Sequence, residues 1–126
     1  MARILVIDDE EAVRRMVRRA LEMSGHEVDE ANDGRTAMTL LEQRHPDLVI
    51  TDMYMADMDG IEFTIRMSQL PHPPRLIAMS GGGFRSANDI LETARRLGAA
   101  RTLTKPFGSD DLRAAVAETL ADAKDA

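Results

Sequence analysis

The sequence predicts an α/β fold: five parallel strands between two layers of helices. Three observations lead there. Apolar runs alternate with helical patterns along the whole chain. The runs Ile4-Leu5-Val6-Ile7, Leu48-Val49-Ile50-Thr51 and Leu76-Ile77-Ala78-Met79 are continuous rather than alternating, which signals burial on both faces and hence a parallel sheet. The chain has 126 residues, 44% of them hydrophobic, the length of one domain with material for a core.

The elements follow in order. Ile4 to Ile7 reads as a buried strand. Val13, Met16, Val17, Ala20 and Leu21 recur at helical spacing and predict one core-facing stripe, stopped by Gly25. A weaker strand follows near Glu27 to Glu30. Gly34 opens a second helix with Ala37, Leu40 and Leu41 inward, and Pro46 forbids its continuation. Asp47 to Thr51 is a strong strand, Met53 to Gly60 a loop rich in turn residues, and Ile61 to Leu70 a helix ended by Pro71, Pro73 and Pro74. Arg75 to Met79 is the next strand, and Gly81-Gly82-Gly83 a flexible connection. Ile90, Leu91, Ala94 and Leu97 form a helical stripe that Gly98 stops, and Ala100 to Thr104 is the last strand. Ser109 is suited to cap the final helix, with Asp110 and Asp111 at its positive end and Leu112, Ala115, Val116 and Leu120 facing the core. One domain is expected over residues 1–121, then a polar tail over 122–126 that frays, with no output domain.

Composition narrows the function. A net charge of −6 argues against direct nucleic-acid binding. The chain has no Cys, which rules out disulfides and thiolate metal sites. Aromatics are 3% of the chain, so aliphatic residues and the nine Met are expected to fill the core. No h-region or long apolar span is present, which gives the expectation of a cytoplasmic protein with no membrane contact.

Asp8, Asp9, Asp52, Ser80 and Lys105 each stand at the end of an apolar run. In a parallel sheet those ends share one rim, where ligands bind. Carboxylates gathered there repel one another and resist ionisation. A divalent cation resolves the conflict, and hard oxygen donors point to Mg²⁺. The set reads as an Mg²⁺-dependent phosphoryl acceptor. Gly81-Gly82-Gly83 is not a phosphate-binding loop, because no Gly-Lys-Ser/Thr follows. His26, His45 and His72 fall in helix-to-strand connections on the opposite face, so the phosphoryl group must come from outside.

Five blocks in order carry a resemblance: Ile-Asp-Asp-Glu at 7–10, Val-Ile-Thr-Asp at 49–52, Met-Asp-Gly at 58–60, Ala-Met-Ser-Gly at 78–81 and Thr-Lys-Pro-Phe at 104–107. Over essentially its full length the chain resembles the receiver domain of two-component response regulators, of the stand-alone type. The resemblance implies a flavodoxin-like (βα)5 sandwich of strand order 2-1-3-4-5. It implies that Asp52 is the nucleophile and becomes an aspartyl phosphate. It implies Mg²⁺ held by Asp8, Asp9, Asp52 and the backbone carbonyl of Tyr54, with Asp8 acting through water. Lys105 and Ser80 would each meet a phosphoryl oxygen, and the Lys105–Pro106 peptide would be cis. The implied donor is a sensor histidine kinase or phosphotransfer protein, and docking near the first helix singles out Arg14, Arg15, Arg18 and Arg19 beside a plain solvated face. The implied output surface is the fourth helix, fifth strand and fifth helix, with Arg95, Arg96, Arg101 and Arg113 as candidates. Its partner would be a downstream protein or a second copy in a weak homodimer.

The chain departs from the family pattern in two places. Thr102 stands where relatives usually carry an aromatic residue, so the ring rotation of the common output relay has no ring here. Ala56 stands where a Pro is common. Tyr54 is the only Tyr, and its ring is expected either to shield the phosphoryl group or to sit as an exposed rim residue. Two other functions stay open. One is an Mg²⁺-dependent phosphatase with an Asp nucleophile, a class that usually needs a second Asp where Tyr54 stands. The other is a receiver-like scaffold that needs no phosphate.

Overall fold

The computed structural model describes residues 1–53, 60–81 and 87–125, with the backbone alone for 87–91 and 123–125. Strands and helices alternate as β1 (Arg3–Ile7), α1 (Glu11–Met23), β2 (Glu27–Ala31), α2 (Gly34–Arg44), β3 (Leu48–Asp52), α3 (Gly60–Ser68), β4 (Arg75–Ser80), α4 (Ala87–Arg96), β5 (Arg101–Thr104) and α5 (Ser109–Asp125). The sheet runs β2-β1-β3-β4-β5, and every neighbouring pair is parallel. The fold expected from the sequence is the fold observed.

Strand alternation divides the core between the two faces of the sheet. Ile4, Val6, Ile50, Ile77 and Met79 point to the side where Val17 and Leu21 of α1 and Leu112 and Val116 of α5 pack. Leu5, Ile7, Val49 and Leu76 point to the other side, against Ala37 and Leu41 of α2 and Phe63 and Met67 of α3. Burial on both faces explains why β1, β3 and β4 lack alternation in sequence.

The termini of the helices follow local chemistry. Asp33 caps α2, its side chain accepting from the Thr36 amide at 2.7 Å. Gly25 and Gly98, at φ of 88° and 106°, take the left-handed conformation after α1 and α4.

Several expectations need correction. Met16 lies on the apolar stripe of α1 but is 38% exposed, and Met23 is 75% exposed, so not every Met serves the core. Ser109 is the first residue of α5 rather than the residue before it. The last helix continues through Asp125 instead of ending near 121, and Asp122 pairs with Arg101 at 2.8 Å. β3 and β4 each extend one residue further, to Asp52 and Ser80. α3 starts and ends earlier than expected, over Gly60–Ser68. Leu40 is only partly buried, and the side chains of Ile90 and Leu91 lie outside the described residues. Among the described residues no helix is long and apolar enough to cross a membrane.

Candidate functional site

Register brings the site together. Ile7 pairs with Thr51, Asp52 with Met79, and Ser80 with Thr104. The next residues of β1 and β5 are Asp8 and Lys105, so all five sequence-predicted residues stand at the carboxyl rim of adjacent strands. That is where open α/β sheets bind ligands.

Asp8 is fully buried and tightly held. Its amide donates to the Ala31 carbonyl at 3.2 Å. Its Oδ1 accepts from the Glu10 amide at 2.9 Å, and its main-chain oxygen accepts from Arg14 at 2.8 Å. Asp9 and Glu10 are exposed beside it. One carboxylate oxygen from each of Asp8, Asp9 and Glu10 falls within 4.8 Å of the others, so this cluster can hold a metal ion. The donor set consists of hard oxygens, which suits Mg²⁺ rather than a thiophilic metal.

Asp52 ends β3 and is 5% exposed. Its position depends on Gly60. A Cβ at residue 60 would collide with the Asp52 carbonyl oxygen and the Met53 Cα. Only glycine lets α3 start this close to the end of β3. The Gly60 amide closes the approach by donating to the Met53 carbonyl at 3.2 Å.

Lys105 joins the parts. Its amide donates to the Ser80 carbonyl at 2.8 Å, which sets the chain after β5 beside the end of β4. Its Nζ lies 2.7 Å from Asp8 Oδ2, 3.4 Å from Asp52 Oδ2 and 3.8 Å from Glu10 Oε1. Burial alone would lower its pKa. The hydrogen bond to Asp8 and the charges of Asp52, Asp8 and Glu10 outweigh burial and hold the pKa above the ordinary lysine value. The Lys105–Pro106 peptide is cis, as expected. Ser80 is fully buried, and its hydroxyl donates to the Gly81 carbonyl at 3.3 Å.

The crevice over these groups has a volume of about 630 Å³. Asp9, Glu10, Asp52 and Lys105 make its polar wall, and Val13, Met16, Pro106 and Phe107 an apolar one. Sequence reasoning missed three contributors. Glu10 follows the acidic pair in the first motif block and joins the cluster. Gly60 closes the third block and serves the close approach just described. Arg14 was grouped with three other arginines of the same helix. The structure divides that group. Arg14 and Arg18 are bound to Glu30, at 3.2 and 2.9 Å. Arg15 pairs with Glu11, and Arg15 and Arg19 line a groove of about 650 Å³ with Met16, Met23 and Arg113. Thr102 accepts a hydrogen bond from Arg95 at 3.1 Å, a link between α4 and β5. Tyr54, Ala56, Asp57, Asp59, Gly82 and Gly83 lie outside the described residues.

The chain is similar to known proteins over nearly its whole length. The family model described as "Response regulator receiver domain" matches residues 4–117. Regulatory protein AtoC of Escherichia coli (strain K12) is 38% identical over 118 residues, covering 94% of this chain and 25% of that protein. Sporulation initiation phosphotransferase F of Bacillus subtilis (strain 168) is 32% identical over 118 residues, covering 94% of this chain and 93% of that protein. The crystal structure of NtrX from Brucella abortus superposes with a TM-score of 0.90 at 31% identity, over 98% of this chain and 27% of that one. The chain thus spans a quarter of the first of these relatives and nearly all of the second.

Proposed function

Because this chain belongs to the response regulator receiver domain family, we propose that it accepts a phosphoryl group with Mg²⁺, that Asp52 is the acceptor and that Asp8, Asp9, Lys105 and Ser80 serve it. The single observation that supports this most is one ammonium, that of Lys105, in contact with both Asp8 and Asp52 at the sheet rim.

The chemistry follows from the positions. An Asp52 carboxylate oxygen forms the new P–O bond while the bond from phosphorus to the donor breaks, its electron pair leaving with the donor. The protein's task is to position groups and stabilise charge rather than to supply covalent chemistry. Asp9 and Asp52, with Asp8 acting through water and the backbone carbonyl of Tyr54, would hold Mg²⁺. The ion would supply positive charge that offsets these carboxylates and the charge of the transferring phosphoryl group. Lys105 moves from carboxylates to a phosphoryl oxygen as a point charge. The Ser80 hydroxyl, whose present acceptor is a long 3.3 Å contact, reorients to another phosphoryl oxygen. Turnover is not part of this role: the phosphoryl group stays on Asp52 until water removes it slowly.

The donor we assign is a phosphohistidine on a sensor histidine kinase or phosphotransfer protein. The groove between α1 and α5 favours its docking there. Met16 lines both this groove and the acceptor crevice, so an apolar path joins them, flanked by Arg15, Arg19 and Arg113. The output face is assigned to α4, β5 and α5, where Arg95, Thr102 and Ala114 line a concavity of about 430 Å³. A downstream protein or a second copy would bind there.

One experiment tests the chemistry. The protein is treated with Mg²⁺ and a small acyl phosphate, and its intact mass is measured for wild type and Asp52→Asn. One phosphoryl adduct, in wild type alone, is the expected result. An adduct that persists in the variant moves the acceptor elsewhere and refutes the assignment.

A further inference from the structure

We infer that Arg14 is a positioning residue for the metal-binding carboxylates, acting through the main chain of Asp8 with Glu30 as its anchor. This rests on the assignment of Asp8 and Asp9 as Mg²⁺ ligands and goes beyond it.

One planar guanidinium spans three elements. Arg14 belongs to α1, and its side chain is 16% exposed. One Nη donates to the Asp8 main-chain oxygen at 2.8 Å, just past β1. Its Nε donates to Glu30 Oε1 of β2 at 3.2 Å. Glu30 is itself fixed from a second side, its Oε2 accepting from Arg18 at 2.9 Å. The anchor therefore cannot swing away without breaking two charge-assisted contacts.

The consequence falls on the ligands. The Asp8 oxygen and the Asp9 nitrogen belong to one rigid peptide plane. Holding that oxygen orients both acidic residues together. The Asp8 amide is held by Ala31, and its Oδ1 by the Glu10 amide. Arg14 completes the set, leaving Asp8 Oδ2 as the oxygen directed to a cation, and Lys105 Nζ contacts that oxygen. A lysine at position 14 would keep the charge but would meet the two acceptors from one mobile ammonium, without the preorganised fork that fixes their spacing.

Two effects of the guanidinium oppose each other, and the sign of a measurement separates them. As a positive charge near the ligands, Arg14 would weaken Mg²⁺ binding through space. As a clamp, it strengthens binding by preorganising the donors, and support of this kind is worth about tenfold or more in metal affinity. The test is calorimetric titration of Mg²⁺ into wild type, Arg14→Lys, Arg14→Gln and Glu30→Gln, with thermal unfolding of the metal-free proteins alongside. Arg14→Lys and Arg14→Gln are expected to bind Mg²⁺ about tenfold more weakly, and Glu30→Gln to shift the same way by less. Phosphoryl uptake from an acyl phosphate should return toward the wild-type rate at saturating Mg²⁺. Loss of stability with unchanged Mg²⁺ affinity would show a structural brace only, and Arg14→Gln binding more tightly would show a through-space charge only. Either result overturns the inference. Glu30→Gln keeps the question answerable if an Arg14 variant does not fold. Wild type that takes up no Mg²⁺ would instead strike the parent assignment.

Discussion

Lys105 Nζ lies 2.7 Å from Oδ2 of Asp8, a residue 97 positions earlier and fully buried. The same nitrogen reaches Asp52 and Glu10. It is the counter-charge that lets the acidic cluster exist next to an apolar core. On the proposed assignment, a phosphoryl group and a metal ion would take over contacts that Lys105 now supplies, which would link stability, metal binding and acceptance through that side chain.

Replacing that lysine tests the linkage. Lys105→Met leaves Asp8 buried without its ammonium, and breaking such a pair costs about 3 kcal/mol. Urea unfolding in metal-free buffer should show this loss. Added Mg²⁺ should then stabilise the variant more than wild type, because the ion meets no resident cation. Equal Mg²⁺ stabilisation of both proteins would argue against competition for Asp8. Phosphoryl uptake should fall in the variant even at saturating Mg²⁺.

Gly60 gives a second test, this time of shape. A methyl group at 60 has no room beside the Asp52 carbonyl. Gly60→Ala should cost roughly 1–3 kcal/mol through overpacking and reduce acceptance by displacing Asp52. Gly108→Ala is the control, since a methyl there would come no closer than 3.9 Å to Asp111. Thermal unfolding and adduct formation should separate the two variants clearly. Similar behaviour would mean that α3 yields to the extra atom.

These residues also mark how far the sequence could be read. β1, β3 and β4 were legible because two-sided burial writes itself as unbroken apolar runs. Asp8, Asp9, Asp52, Ser80 and Lys105 were legible because a parallel sheet sends all its strand ends to one rim. β2 was faint: it is an edge strand whose Glu27, Asp29 and Glu30 face arginine partners instead of core. Met16 shares the helical period of Val17 and Leu21, yet it lies at the crevice mouth, and periodicity does not tell where a covering layer stops. Glu10 and Gly60 fall inside motif blocks, but the reach of Glu10 to Lys105, the close approach of Gly60 to Asp52 and the bonds of Arg14 to Asp8 and Glu30 join separate elements, so spacing along the chain does not reveal them. The four arginines of α1 look alike in sequence, and only the position of Glu30 separates the clamped pair from the outward pair.

The outward pair leads to a prediction about the donor. Arg15 and Arg19 border the Met16–Met23 groove, and neither contacts the acidic cluster. Charge reversal at both positions should slow transfer from a phosphohistidine protein and spare uptake from a small acyl phosphate. Rim charges act mainly on encounter, so added salt should slow the wild type and should not slow the charge-reversed variant. Equal loss with both donors would place the defect in the acceptor site and remove the docking role.

The last prediction concerns the opposite end of the sheet. The Ala2 amide donates to Nδ1 of His26 at 3.1 Å, which requires that nitrogen to be unprotonated. Burial, and then the positive chain terminus, push the His26 pKa below its ordinary value of 6.5. Between the two values the unfolded chain binds more protons than the folded one, so stability rises with pH across that window. Acidification through about 6.5 should therefore begin to destabilise the protein, and the loss should level off once the folded-state pKa is passed. His26→Gln removes this titration while keeping a polar group near Ala2. The difference in urea midpoint between pH 7.5 and pH 5.5 should be smaller in the variant than in wild type, since the carboxylates contribute equally to both. Identical differences would show that the Ala2 hydrogen bond carries no proton linkage.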